Sequence, residues 1–303
     1  MLNRNEKILL RADGNSTIGL GHVYRLLALA DILKDDFEIV FAISSPDEYL
    51  KSVIKNYVHS IIELPSVQYK LPALKKTKDE IPFDLISYLN GNEIVVTDGY
   101  WFGEQYQKAV KATGAKLVCI DDLAENHFFA DAVINHAPGI KAEQYKGEPY
   151  TKYYLGLDYA LLRKDFFKPL AANRKAQSVF ISMGGSDQYD ILEKVSAAAL
   201  SSSLFTEINL LIASSFPQEV VARLNNSTTN ANIIIHQNLS ASALVQLMDS
   251  CESAIVSAST LLLECYNRGM ICFAGYYTAN QKSIYNGFVS ENKAIGLGDL
   301  NIF

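Results

Sequence analysis

A histidine closes a glycine-rich turn near the start of this chain, in Arg11-Ala-Asp-Gly-Asn-Ser-Thr-Ile-Gly-Leu-Gly-His22-Val-Tyr-Arg25. Lys7–Leu10 before it reads as a short buried strand. Val23–Leu33 after it reads as an amphipathic helix with apolar positions at Leu26, Leu27, Leu29, Ala30 and Leu33. Such a unit points backbone N–H groups and the positive end of a helix dipole at whatever sits above the sheet. That dipole disfavours imidazolium, so His22 is expected as a neutral ring, the form a general base needs. The turn lacks the third glycine of a dinucleotide fingerprint, and Gly14-(x)4-Gly19 continues with Leu20 instead of the lysine of a P-loop. The plainer alternative is a tight turn whose glycines merely admit the helix.

The second half of the chain carries two loops of a different kind. Ser182-Met-Gly-Gly-Ser-Asp187 ends a strand, and its consecutive glycines let backbone approach a phosphate closely. Val256-Ser-Ala-Ser-Thr260 leads from another strand into a helix over Leu261–Asn267, and its small hydroxyl residues and N–H groups suit a diphosphate. Glu264 lies one turn into that helix, on the face of Thr260, where a carboxylate can accept both hydroxyls of a ribose. The alternative is a capped helix with a solvated glutamate.

The elements that must position these residues alternate strand with helix. Strands are expected at Lys7–Leu10, Glu38–Ile43, Ile61–Glu63, Glu93–Thr97, Lys116–Ile120 and Ala132–Asn135, with a helix over Gly103–Thr113. After a polar, basic stretch over 163–177 the alternation restarts at Ser178–Met183, Glu207–Ile212, Ile233–His236, Ala254–Val256 and Met270–Phe273. Continuous apolar runs such as Ile94-Val-Val96 mark parallel sheets covered on both faces. The expected fold class is α/β, with two doubly wound domains (1–160 and 161–303) and a cleft between them for ligand. Polar residues follow the strand ends: Asp13, then Asp98 and Tyr100, then Asp121-Asp122. Each aspartate there is either a ligand group or an ordinary cap.

Composition narrows the function classes. At 303 residues with 49% hydrophobic and 20% charged side chains, the chain is a globular protein of about two domains. A net charge of −6 without a basic block argues against nucleic acid as a partner. No signal-peptide core and no membrane-length apolar run is visible, and a cytoplasmic location without membrane insertion is expected. Cys119, Cys251, Cys265 and Cys272 lack C-x-x-C spacing and read as core residues of a reducing compartment. No D-x-D pair or ligand-spaced His/Cys cluster suggests a metal, and no cofactor is expected.

In their order along the chain, these motifs resemble the PseG family, UDP-sugar hydrolases of pseudaminic acid biosynthesis related to the MurG-type glycosyltransferases of GT-B fold. The resemblance rests on Ile18-Gly-Leu-Gly-His-Val-Tyr-Arg25, Gly156-Leu-Asp-Tyr-Ala-Leu-Leu-Arg163, Ser182-Met-Gly-Gly-Ser-Asp187, Ser257-Ala-Ser-Thr-Leu-Leu-Leu-Glu264 and Ala279-Asn-Gln281. It implies GT-B architecture and cleavage of UDP-2,4-diacetamido-2,4,6-trideoxy-β-L-altropyranose to free sugar and UDP. His22 would be the base, with Gly21 and Arg25 beside the sugar. Arg163, Met183, Gly184, Gly185, Ser259, Thr260, Glu264 and Asn280 would hold UDP. Asp13, Asp98 and Tyr100 are the candidates for the sugar's acetamido and hydroxyl groups. The tail at Asp299–Phe303 has no long terminal helix of the kind many GT-B proteins carry. A GT-B glycosyltransferase with a UDP-amino-sugar donor, and a non-catalytic nucleotide-sugar binder, are the alternatives.

Overall fold

The computed structural model describes residues 6–15, 18–65, 85–170, 174–184, 189–213, 216–225 and 231–302. The chain forms two compact units, Met1–Arg163 and Lys164–Phe303. In the first, β1 (Lys7–Arg11), α1 (Gly21–Leu33), β2 (Glu38–Ser44), α2 (Glu48–Lys55) and β3 (Ser60–Leu64) come in turn. They are followed by β4 (Ile94–Asp98), α3 (Glu104–Ala112), β5 (Lys116–Ile120), β6 (His127–Phe128), β7 (Ala132–Asn135), β8 (Lys146–Gly147) and β9 (Lys152–Leu155). Seven strands form one sheet in the order β3-β2-β1-β4-β5-β7-β9, all parallel, while β6 and β8 pair separately.

Strand alternation explains how both faces of this sheet are covered. Ile8 and Leu10 pack with Val23, Leu26, Leu27 and Ala30 of α1. Leu9, between them, joins the opposite core with Tyr106 and Val110 of α3. Each such leucine contributes about 1.5–3 kcal/mol on burial, which fixes the register of β1 and hence the height at which α1 begins. The strand order reverses between β1 and β4, and a crevice opens past their carboxyl ends.

The second unit repeats the plan with β10 (Lys175–Ser182), α4 (Tyr189–Ser201), β11 (Glu207–Leu211), α5 (Gln218–Asn225), β12 (Asn232–His236) and α6 (Ala241–Ser250). Then come β13 (Cys251–Ser257), α7 (Thr260–Asn267), β14 (Ile271–Tyr276), α8 (Lys282–Ser290) and β15 (Ile295–Asp299). Its sheet runs β12-β11-β10-β13-β14-β15, again parallel, and reverses between β10 and β13. Arg268, just after α7, is buried. It pairs with both oxygens of Asp249 at 2.7 Å and donates to the carbonyls of Phe166, Lys168 and Pro169. The first residues of this unit are thereby pinned to its body.

Two expectations need correction. The strand expected from Ser178 begins at Lys175, inside the stretch read as a polar connection, because its first three residues, Lys175, Ala176 and Gln177, are exposed and carry no buried apolar run. Strands β9 and β15 were not expected at all. The four cysteines are buried free thiols, and burial pushes Cys119 and Cys272 up to about 12. Among the described residues, no helix is long and apolar enough to cross a membrane.

Candidate active site

His22 is the second residue of α1, and Leu20 before the helix offers no side-chain cap. Gly19 turns the chain at φ +80°, which an L side chain rarely adopts. A Cβ on Gly14 would stand 2.8 Å from Val23 Cγ2, so the turn lies flat on the helix it feeds. Ser16 and Thr17 fall outside the described residues. Gly21 is exposed, with open space where a Cβ would go.

The histidine is not simply presented to solvent. Only 8% exposed, it holds Asp98 Oδ1 at 2.7 Å through Nδ1. Asp98 ends β4 and is fully buried. Burial alone would raise its carboxyl, but Arg25 and then His22 outweigh burial and hold it below the ordinary range. An ionised carboxylate only accepts, so the imidazole proton sits on Nδ1 and Nε2 keeps its lone pair. Among the described residues, no group hydrogen-bonds Nε2. The rings of Tyr100 and Trp101 stand edge-on to the imidazole, with centroids 4.9 and 5.8 Å away.

Arg25, one turn further along α1, is the hinge of a larger buried cluster. It donates from Nε and Nη2 to the two oxygens of Asp98, both at 2.6 Å. It also donates to the two oxygens of Asp122 at 2.6 and 3.1 Å, and its Nη1 lies 3.4 Å from His136 Nε2. Tyr100 donates its hydroxyl to Asp122 at 3.1 Å. Burial opposes ionisation of Asp122, but Arg25 overcomes it and holds that carboxyl well below the usual range. For His136 burial and Arg25 act together and push the imidazole down to about 4.

The strand-end residues thus divide differently from expectation. Asp98 and Arg25, expected against the sugar, are engaged with each other and with His22. Asp13 is buried and bonded to Arg11 at 2.6 Å and to the Ser44 amide at 2.7 Å, so it ties the turn to β2. Asp121 accepts from the Leu123 and Ala124 amides and caps a turn. Tyr100 is half-buried beside His22. Asp122 was expected only as a strand-end aspartate, a ligand group or a cap, and His136 was not expected at all. Each follows the carboxyl end of a strand, β5 and β7, and that position was the signal available for His136.

In the second unit the described residues at the corresponding strand ends offer hydroxyl, backbone and amide groups, with Glu264 one turn into α7. Met183, buried past the end of β10, accepts from the Tyr277 hydroxyl at 2.8 Å and from Ser257 Oγ at 3.2 Å. Gly184 takes φ +91°, and a Cβ there would come near only Ser257 Oγ and the Tyr277 hydroxyl. Ser259 caps α7 by accepting from the Leu261 amide, and Thr260 opens the helix. Glu264 is buried, not solvated. Asn280 lies in the short 3-10 turn Ala279–Gln281, and Gln281 accepts from the Tyr277 amide at 3.0 Å. Arg163, half-buried, is the last residue of the first unit and acts electrostatically on Tyr24 of α1. Gly185, Ser186 and Asp187 lie outside the described residues.

No family model matches the chain. It is 28% identical over 298 residues to UDP-2,4-diacetamido-2,4,6-trideoxy-beta-L-altropyranose hydrolase of Campylobacter jejuni, covering 91% of this chain and 94% of that protein. It is 26% identical over 295 residues to the spore coat polysaccharide biosynthesis protein SpsG of Bacillus subtilis, covering 95% and 82%. An uncharacterised protein of Methanocaldococcus jannaschii is 25% identical over 301 residues, and the match takes in 94% of this chain but only 58% of that longer protein. Among solved structures, Acinetobacter baumannii MurG superposes with a TM-score of 0.66 at 14% identity, covering 98% of this chain and 87% of that one. The fold is GT-B. The UDP complex of LpCGTa shares it, with a TM-score of 0.64 at 12% identity over 96% of this chain and 84% of that one. The chain is thus a distant relative of a UDP-sugar hydrolase, built on the GT-B fold.

Proposed function

We propose that the chain hydrolyses a UDP-activated 2,4-diacetamido-2,4,6-trideoxyhexose to the free sugar and UDP. The observation that carries this is the His22–Asp98 pair, with its proton on Nδ1 and a lone pair on Nε2 at the switch point of the first sheet. Nε2 takes a proton from water as the water oxygen bonds to the anomeric carbon on the face opposite UDP. The bond from that carbon to the phosphate oxygen breaks, and its electron pair leaves with UDP. The anomeric configuration inverts. A diphosphate is a good leaving group, so one base does the work for which ordinary glycosidases use two carboxylates. General base catalysis of this kind contributes about 10²–10⁴-fold.

Asp98 holds the ring in its productive tautomer and steadies the imidazolium that forms. Arg25 keeps Asp98 ionised, and Asp13 braces the turn; these are positioning tasks, in place of direct sugar contact. Tyr100, beside His22, contacts the sugar, while Gly21 leaves room above the helix start. In the second unit Met183, Gly184, Gly185, Ser259 and Thr260 cradle the diphosphate, with Glu264 on the ribose and Asn280 and Arg163 assisting. The Campylobacter relative, 28% identical over nearly its full length, supports this choice of substrate.

The test is incubation with a panel of UDP-sugars without acceptor and with EDTA present. Equal amounts of UDP and free sugar are expected from the diacetamido-trideoxy substrate, with the sugar first appearing as the inverted anomer by NMR. UDP release that requires an added acceptor would make the chain a glycosyltransferase, and binding without release a nucleotide-sugar carrier.

A further inference from the structure

We propose that Asp122, whose contact with His22 runs through Arg25, is a positioning residue that gives the buried cluster one excess negative charge, which the proton taken up by His22 cancels. The inference rests on the reading of His22 as the base. Around the guanidinium of Arg25 stand two carboxylates, Asp98 and Asp122, bonded at 2.6 to 3.1 Å, with His22 on one side and His136 on the other. With both imidazoles neutral, the cluster sums to one net negative charge. His136 stays neutral because burial and Arg25 together press its proton off. The remaining neighbour on Asp122 is the phenol of Tyr100, also neutral. Asp121, next in the chain, is held by the Leu123 and Ala124 amides and the Tyr145 hydroxyl.

A buried charge in excess is unfavourable, so a proton gained within the cluster is favoured. One carboxylate suffices to balance a buried arginine, as Asp249 does for Arg268. The second carboxylate beside Arg25 is therefore surplus in the resting site and balanced only when His22 carries a proton. As water bonds to the anomeric carbon and its proton moves to Nε2, the cluster passes from one negative charge to none. Meanwhile the broken carbon–oxygen bond sends its electron pair away on UDP. Without the Asp122 charge the same step would create a buried net cation, and His22 would be the weaker base.

The experiment is an NMR titration of the His22 ring in the full-length chain, assigned with His22→Gln. The comparison is between wild type, Asp122→Asn and the double variant Arg25→Met/Asp122→Asn, whose cluster again sums to one negative charge. The midpoint in Asp122→Asn should fall by about one pH unit or more, taking the acidic limb of kcat/KM with it, while the UDP Kd stays put. The double variant should return toward the wild-type midpoint. An unchanged midpoint in folded Asp122→Asn would overturn the proposal. Should that variant fail to fold, the double variant decides, and a midpoint well below wild type would count against it. The titration needs no substrate. If the midpoint moves as stated and no UDP-sugar is hydrolysed, the charge placement stands and the hydrolase reading falls.

Discussion

Arg25 in the first unit and Arg268 in the second are both buried and both held by carboxylates, yet they are used in opposite ways. Arg268 meets one aspartate and three backbone carbonyls, a neutral and finished arrangement that fastens the start of its unit. Arg25 meets two aspartates and lies against two histidines, at the point where the strand order of its sheet reverses. The equivalent crevice of the second sheet holds no such cluster among its described residues, only hydroxyls, glycine backbone and Glu264. On the function proposed above, one switch point moves a proton and the other receives a ligand.

Removing each arginine is the sharpest way to break that comparison. Arg25→Met and Arg268→Met should each lose about 3–5 kcal/mol in urea unfolding, because buried carboxylates are left without a counter-charge. Only Arg25→Met should also lose kcat in protein that remains folded. Equal loss of kcat in Arg268→Met would erase the distinction.

Acid should probe the first cluster selectively. His136 titrates near 4 when folded, below the 6.5 of a free ring. The unfolded chain therefore binds a proton that the native chain refuses, and stability is lost as pH falls from about 6.5 to about 4. The loss at pH 5 should be about 2 kcal/mol from this residue, measured as the difference in unfolding free energy from pH 7. Asp98 and Asp122, both depressed, keep their stabilisation until the pH drops below the ordinary carboxylate range of about 4. His136→Gln should flatten the slope between pH 7 and pH 5, and an undiminished slope would remove His136 from the account.

The sequence made the sheets legible but not the partnerships. The apolar runs were enough for β1, β4 and β5 and for the buried inner parts of β10 and β13, but not for the exposed start of β10. It failed for β9, an edge strand of Lys-Tyr-Tyr-Leu with Tyr154 exposed, and for β15, whose two glycines read as breaks. His22 was visible from its glycine turn, and Asp98 from its strand end. That they bond each other was not, because the pair is 76 positions apart and only the β1–β4 pairing brings it together. Arg25 read as a ligand for the same reason: its three charged or ionisable partners, apart from His22, lie 73 to 111 positions away.

A smaller effect sharpens the second unit's side. Glu264→Ala should weaken UDP binding by about 1–3 kcal/mol, the cost of a lost charged hydrogen-bond pair, with little change in the midpoint of the His22 titration. Unchanged UDP affinity by calorimetry would take Glu264 out of the nucleotide site.

On the proposed function the first unit carries the chemistry and the second the nucleotide. Calorimetric titration of UDP into His22→Gln, set beside its kcat on the diacetamido substrate, tests this most directly. A UDP Kd close to wild type with kcat lowered about 10²–10⁴-fold is the predicted result. A parallel loss of both would make His22 a structural residue of the turn, and a nearly normal kcat would remove it from the mechanism.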